Sequence, residues 1–168
     1  MDSRSAGGTE DGEHEMASPR TLTRIALVAA LMTALTALVP STATAATLTP
    51  RTKMYRATNT TRTNHAVRRV WIHDRLSELA KQHSKAMAKK GTLWHVANPS
   101  SYYLKGISWS TWGENVGVTG GTVWDVQRAF MGSPMHRANI LNNRFRRVAV
   151  GAYRDSSGLL WVTIFFYG

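Results

Sequence analysis

A helical repeat of small and apolar side chains between His73 and Gly91 is the clearest pattern in the chain. Its members recur at intervals of three and four residues: Leu76, Leu79, Ala80, His83 and Met87. This spacing places them on one face of an amphipathic helix. Asp74 is expected to cap the start of the helix, and Gly91 to end it. Another helix is predicted over 52–67, where threonine and asparagine reduce the helix propensity.

Two apolar segments near the C-terminus predict how the layers are arranged. "RRVAVGAYR" (146–154) and "LLWVTIFFY" (159–167) flank a polar turn at 155–158 that ends in glycine, which is typical of a hairpin. The second segment is apolar on both faces, and such a strand must be covered from both sides. We therefore expect an α+β fold, a three-layer α-β-α sandwich with helices on both faces of one sheet.

The stretch between these patterns, residues 92–121, is rich in tryptophan, tyrosine and glycine and follows neither a helical nor an alternating period. A long irregular stretch in a compact domain is usually either functional or wrongly assigned as irregular. A strand is expected within it at 115–118. Thr122 and Asp125 have the spacing of a capping pair at the start of a helix.

The motif "SPMHRANIL" predicts the start of a further helix. Ser133 is suited to the N-cap, and Pro134 to the first helical position, where its missing N–H costs nothing. His136 then falls in the first turn, where the helix dipole favours the neutral imidazole. A neutral imidazole can bind a metal, accept a proton or accept a hydrogen bond.

The N-terminal region resembles a targeting segment. Arg20 and Arg24 precede an apolar run at 25–39, and small residues ending in Ala45 follow, as in a secretory signal peptide. The run of 15 residues is short for a membrane span, which needs about 20. We expect residues 1–45 to be removed by cleavage near Ala45. The acidic residues 1–15 are predicted to be disordered or to precede a true start at Met16. A tether at 46–51 and a domain at 52–168 complete the predicted organisation.

Composition narrows the chemistry of the exported domain. The chain has no cysteine, which excludes disulfides, thiolate metal sites and a thiol nucleophile. Residues 46–168 hold 18 basic and five acidic side chains, a net charge of +13. Such a charge suits anionic partners, whether cell-wall polymers, lipid head groups or nucleic acid.

Three polar residues outside the regular elements are candidates for a site. Glu114 lies in "WGENVG" among aromatic and glycine residues, and His95 and His136 lie 19 residues before it and 22 after it. This spacing matches no local metal motif. Two imidazoles and a carboxylate suit zinc, and they equally suit a water-filled pocket without metal. The alternative for Glu114 is a purely structural role, in which its carboxylate accepts hydrogen bonds from backbone N–H groups of the loop.

Five segments occur in an order and spacing that resemble the CAP superfamily, and the likeness covers about residues 52–168. They are "NTTR" (59–62), "LAKQHSKAMAKKGTLWH" (79–95), "GENVG" (113–117), "FMGSPMHRANIL" (130–141) and "VAVGAYRDSSGLLWVTIFF" (148–166). That superfamily includes cysteine-rich secretory proteins, antigen 5 and plant pathogenesis-related proteins. The chain is similar to its cysteine-free bacterial branch, whose domain is called SCP.

The resemblance implies an α-β-α sandwich around a mostly antiparallel sheet, with a large central cleft. Carried across, the two cleft histidines are His95 and His136, and the first acid is Glu114. The implied ligand cleft also includes Asn115 and Ser133, the latter standing where many relatives have a second acid. Some members bind zinc or another divalent cation, for which the resemblance offers the two histidines as ligands. Met135 replaces a glycine that commonly precedes the second histidine.

The expected function is that of a secreted, non-catalytic binding module. Its ligand would be a lipid, a sterol or an anionic cell-envelope polymer, and its basic surface would allow membrane association. The alternative is a metal-dependent hydrolase that uses the same cleft, with Glu114 as candidate base. Nucleic-acid binding, suggested by the arginines at 68–69 and 144–147, ranks last, because bulk charge gives only non-specific affinity. We expect a monomer in the extracellular space or at the cell wall.

Overall fold

Residues 47–168 are described by a computed structural model, in which they fall within one compact unit. The predictions for the leader, namely cleavage near Ala45, disorder at 1–15 and a start at Met16, lie outside these residues. No helix of the described residues is both long enough and apolar enough to cross a membrane.

The described residues form five helices and four strands, joined by loops. The helices are α1 (Pro50–Asn64), α2 (Asp74–Lys90), α3 (Pro99–Tyr103), α4 (Val123–Gly132) and α5 (Pro134–Leu141). The strands are β1 (Trp71–Ile72), β2 (Trp112–Thr119), β3 (Arg147–Arg154) and β4 (Leu160–Tyr167).

The strands form one sheet in the order β1-β3-β4-β2. β3 pairs with β4, and β4 with β2, in antiparallel fashion, whereas the two-residue β1 runs parallel to β3. The hairpin predicted at the C-terminus is therefore the centre of the sheet. β1 and β2 form its two edges.

Helices cover both faces of this sheet, as the two-faced apolar strand requires. All eight residues of β4 are buried. Val162, Ile164 and Phe166 share a core with α1, α4 and α5, whereas Phe165 and Tyr167 pack with Leu76 of α2 on the opposite face. The predicted three-layer α-β-α sandwich, with a mostly antiparallel sheet, is confirmed.

At Gly151 of β3, helix α2 lies so close to the sheet that no side chain fits between them. A Cβ atom on Gly151 would overlap the backbone of Ala80 and Lys81. Two serines of α2 add hydrogen bonds: Ser77 Oγ accepts from the N–H of Val150 (3.0 Å), and Ser84 Oγ donates to Thr163 Oγ1 (2.9 Å). Helix α2 is thus fixed to the sheet by backbone contact as well as by the burial of apolar side chains.

A buried arginine, Arg62, holds together the helices on the other face of the sheet. The side chain of Arg62, at the end of α1, is fully buried and donates to the carbonyls of Arg68 (2.8 Å), Ile140 (2.6 Å) and Asn142 (3.0 Å). Burial, and then the charges of Arg68 and Arg146, lower the pKa of Arg62 to about 10. Arg62 therefore joins α1 to the end of α5 and to the loop before β1.

Several local predictions need correction. Helix α1 begins at Pro50 with Thr49 as its N-cap, so the last two residues of the predicted tether belong to the helix. His73, rather than Asp74, caps α2 through its ring nitrogen, which leaves Asp74 free to pair with Arg51. The irregular stretch contains α3, which the sequence did not predict, because five residues are too few to show a helical period.

Replacing Gly151 by alanine should destabilise the domain by about 3 kcal/mol, because the added methyl group forces α2 away from the sheet. Urea denaturation of the chain from Ala46 onward measures the effect as a lower midpoint. Gly132→Ala is the matched control, since nothing lies within 4 Å of a Cβ atom there. Equal midpoints for the two variants would contradict the close contact.

Candidate functional site

Glu114 is the buried centre of the polar site. It lies in β2 opposite Phe165 of β4, and its side chain is only 2% exposed. Oε2 accepts from His95 Nδ1 (2.9 Å) and from the N–H of Val96 (3.1 Å), and Oε1 accepts from the hydroxyl of Tyr103 (3.2 Å). One carboxylate thus joins β2, α3 and the segment after α2.

Tyr103 is held firmly as a donor to this carboxylate. Its ring stacks on Phe165 with the centroids 4.1 Å apart. Burial, followed by the negative charge of Glu114, raises the pKa of the Tyr103 hydroxyl far above its usual value. The hydroxyl therefore keeps its proton at neutral pH and acts as a hydrogen-bond donor to Glu114.

The segment that carries His95 is positioned by the end of α2. Gly91 ends the helix in the left-handed conformation (φ 64°), which favours glycine. His83, from the apolar face of α2, hydrogen-bonds through Nε2 to the carbonyl of Trp94 (2.9 Å). His83 is thus the satisfied core histidine that its place in the repeat predicts. The side chain of His95 is 56% exposed, and its Nε2 atom is left free of the bond to Glu114.

An asparagine network holds the start of α5 against β2. Asn115 Nδ2 donates to the carbonyl of His136 (3.0 Å), and Asn139 Nδ2 donates to Asn115 Oδ1 (2.9 Å) and to the carbonyl of Glu114 (3.2 Å). A Cβ atom on Gly113 would overlap the side-chain amide of Asn139. The glycine of "GEN" therefore makes room for the asparagine of "RANIL".

His136 and Ser133 have the helix positions predicted for them. Ser133 is the N-cap of α5 and Pro134 begins the helix, but the serine side chain makes no capping hydrogen bond. The ring of His136 contacts Phe130, with centroids 5.0 Å apart. Burial, and then the charge of His95, lower the pKa of His136. The sequence predicted a neutral His136 ring from the helix dipole. In the structure, burial and the charge of His95 favour the neutral ring.

A cleft of about 320 Å³ opens beside Glu114. Its lining is mainly apolar, with three polar side chains among the seven residues: His95, Val96, Pro99, Trp112, Gly113, Glu114 and Asn139. His95 and Glu114 were singled out from the sequence. The same cleft was also expected to include His136, Ser133 and Asn115. These three residues lie nearby but do not line the cleft beside Glu114. Trp112 and Pro99 lay in the irregular stretch, and no periodicity distinguished them.

The residues at this site do not fit a zinc centre. Catalytic zinc is normally held by three protein ligands, and the described residues contain no group of three histidine or acidic side chains able to hold a metal ion. His95 and His136 could supply only two nitrogen ligands. Glu114 is poorly placed to be the third ligand, because its oxygens already accept three hydrogen bonds from the protein.

The sequence and structure match known proteins over most of the described residues. The CAP family, described as the cysteine-rich secretory protein family, matches residues 55–166. The chain belongs to the CAP family. An uncharacterized CAP relative, YkwD of Bacillus subtilis (strain 168), is 32% identical over 118 residues. The match covers 67% of this chain and 45% of YkwD, so the chain spans less than half of that relative.

Two solved structures of bacterial proteins have the same fold. An extracellular protein containing an SCP domain from Bacillus anthracis str. Ames has a TM-score of 0.61 and 21% identity, covering 70% of this chain and 40% of that one. An outer surface protein from Borrelia burgdorferi has a TM-score of 0.63 and 17% identity, covering 70% of this chain and 91% of that one. At these identities the likeness shows the fold alone, and it confirms the SCP architecture.

Replacing Tyr103 by phenylalanine should cost about 1–3 kcal/mol, because Oε1 of a buried carboxylate loses its donor. Tyr102→Phe is the matched control. Its hydroxyl makes only an exposed bond to the carbonyl of Leu79, so its loss should stay below about 0.5 kcal/mol. The free energy of unfolding in urea measures both. A Tyr103→Phe variant as stable as the control would show that Glu114 does not depend on this bond.

The lowered pKa of His136 predicts a loss of stability in acid. A histidine whose pKa is lowered by folding stabilises the native state above its ordinary pKa of 6.5, and this contribution is lost as the pH falls through the lowered value. NMR titration of the His136 ring should therefore give a midpoint below 6.5. In a His95→Ala variant the midpoint should move upward, since one positive neighbour is gone. A midpoint at or above the ordinary value would contradict the assignment.

Proposed function

We propose that this CAP domain is a secreted, non-catalytic module that binds a lipid, a sterol or a cell-envelope ligand in the cleft beside Glu114. The observation that carries the proposal is the state of that carboxylate. It is buried and accepts three hydrogen bonds from the protein itself. A carboxylate in this state organises a pocket, and it has little capacity left to take a proton from a substrate.

The lining of the cleft supports binding. Pocket walls in ligand-binding proteins are mainly apolar, with a few polar groups that fix the orientation of the ligand. Val96, Pro99 and Trp112 supply apolar surface, and the exposed ring of His95 supplies a polar group at the mouth. The volume of about 320 Å³ accommodates a ring or a chain end rather than a large ligand in full.

The arrangement of possible nucleophiles also favours binding over catalysis. A catalytic hydroxyl is normally hydrogen-bonded to the base that activates it. Among the described residues, no serine or threonine hydroxyl is hydrogen-bonded to His95 or His136. The sequence offers no cysteine as a substitute.

A hydrolase that uses the same cleft is the competing proposal, and one observation favours it. Glu114 orients His95 through Nδ1, and Nε2 of this half-exposed side chain makes no bond to the carboxylate. Carboxylates orient histidines that bind metals or move protons in the same way. If this were its role, a Glu114→Gln variant that still folds would lose any ester or peptide hydrolysis by the wild-type domain. Full activity in that variant would remove the hydrolase proposal.

Export is part of the proposal. Its support is the apolar run at 25–39 followed by small residues up to Ala45, together with two structural neighbours described as an extracellular and an outer surface protein. Mass spectrometry of the protein recovered from culture medium would test it. The expected N-terminus is Ala46, and an intact N-terminus would contradict cleavage.

Binding should depend on Trp112 and be indifferent to Trp109. The two side chains are similarly exposed, at 40% and 43%, but only Trp112 lines the cleft. We expect isothermal titration of the chain from Ala46 onward with palmitate, cholesterol or soluble peptidoglycan fragments to detect binding of at least one. Trp112→Ala should weaken that binding about tenfold or more, since a central aromatic side chain carries much of the energy of such a site. Equal losses in the two variants, or no binding to any probe, would overturn the cleft proposal.

A further inference from the structure

A face rich in arginine lies at the β1 edge of the sheet, opposite the β2 edge that carries Glu114. Two loops meet there, because Trp71 of β1 is the register partner of Arg147 of β3. The N–H of Trp71 also donates to the carbonyl of Arg146 (2.9 Å). Together with Trp71, six exposed arginines from these loops and from the start of α2 form what we call the arginine edge: Arg68, Arg69, Arg75, Arg144, Arg146 and Arg147.

The positive charge of the arginine edge is not neutralised by the domain. In the part of the chain that the structure describes, none of the six arginines lies within ion-pair distance of a carboxylate. The acid nearest in sequence, Asp74, is paired with Arg51 of α1. The charges of Arg75 and Arg147 instead both act to lower the pKa of His73, adding to the effect of burial. The edge therefore attracts anions from outside the molecule.

Trp71 gives this charged face an apolar centre. It is 69% exposed, although the neighbouring Val70 is fully buried. Arginine is the side chain best suited to bind phosphate groups through paired N–H donors. Tryptophan prefers the boundary between the head groups and the acyl chains of a bilayer. The two residue types together match a surface that is anionic outside and apolar just below.

We propose that the arginine edge docks this domain on the surface of an anionic phospholipid membrane, with Trp71 entering the headgroup layer. A flat partner fits better than a single strand of nucleic acid, which is normally bound along a positively charged groove. The clefts beside Glu114, Trp124 and Tyr153 include none of the side chains of the edge.

This proposal goes beyond the cleft and does not depend on it. The arginine edge and the cleft share no residue and lie at opposite edges of the sheet. Loss of ligand binding in Trp112→Ala would leave vesicle binding unchanged, and the reverse holds for changes to the edge. The two proposals therefore fail separately.

Co-sedimentation with vesicles tests the docking surface. The chain from Ala46 onward should bind vesicles of equal parts phosphatidylglycerol and phosphatidylcholine, and not vesicles of phosphatidylcholine alone. Each basic residue near an anionic leaflet contributes roughly 1 kcal/mol, or about fivefold in affinity. The triple variant R68Q/R69Q/R147Q should therefore bind on the order of 100-fold more weakly.

A charge-matched control separates the edge from the overall charge. The variant K81Q/K89Q/K105Q removes three exposed positive charges from other parts of the surface and should retain most of the affinity. An equal loss in the two triple variants would overturn the proposal, because binding would then follow net charge. Binding of both triple variants at full strength would overturn it as well.

The tryptophan distinguishes a membrane from a soluble polyanion. Trp71→Ala should weaken vesicle binding, most clearly at high salt, where the arginine contribution is screened. Trp124→Ala is the control, since Trp124 is 52% exposed and belongs to α4 rather than to the arginine edge. If Trp71→Ala has no effect, or if polyphosphate or single-stranded DNA competes with vesicles at equal charge, the edge binds a phosphate polymer and the membrane proposal is wrong.

Discussion

The burial of β4 on both faces is the constraint from which the rest of the domain follows. A strand with eight buried residues needs neighbours on both sides of the sheet and a layer of helices above and below. β3 and β2 supply the neighbours, and the short β1 completes the sheet. The two edges are thereby separated by the full width of the sheet. One edge carries the polar site, and the other carries the arginines.

Negative charge in the described residues serves local structure throughout. Glu114 holds three segments together, Asp74 and Glu78 pair with Arg51, and Asp125 accepts from the N–H of Thr122 at the start of α4 (2.7 Å). Asp155 accepts from the indole Nε1 of Trp161 (2.7 Å) and from N–H groups of its own turn. All five aspartate and glutamate side chains of the described residues are engaged in such local contacts, so none of them pairs with the charges of the arginine edge.

The sequence predicted the layers well because they depend on strong, short-range patterns. The helical repeat gave α2, and the two-faced apolar strand required the sandwich. The irregular stretch was harder, because neither the five residues of α3 nor the two of β1 are long enough to show a period. The bond between His95 and Glu114 joins residues 19 positions apart. The residue types and the family resemblance placed both residues at one site, but spacing alone could not predict the bond. The cleft lining depends on side-chain packing, and for that reason the sequence did not single out Trp112.

The absence of a side chain at Gly151 determines how closely two of the three layers approach each other. Helix α2 rests on the sheet at the level of the backbone, so a larger residue at this position would push the helix and the sheet apart. The opposite layer consists of three helices that meet the sheet through apolar side chains. His95 lies in the segment that follows α2, whereas His136 belongs to the opposite layer. The bare backbone at Gly151 therefore sets the height above the sheet at which the segment after α2 begins, and with it the approach of His95 to Glu114.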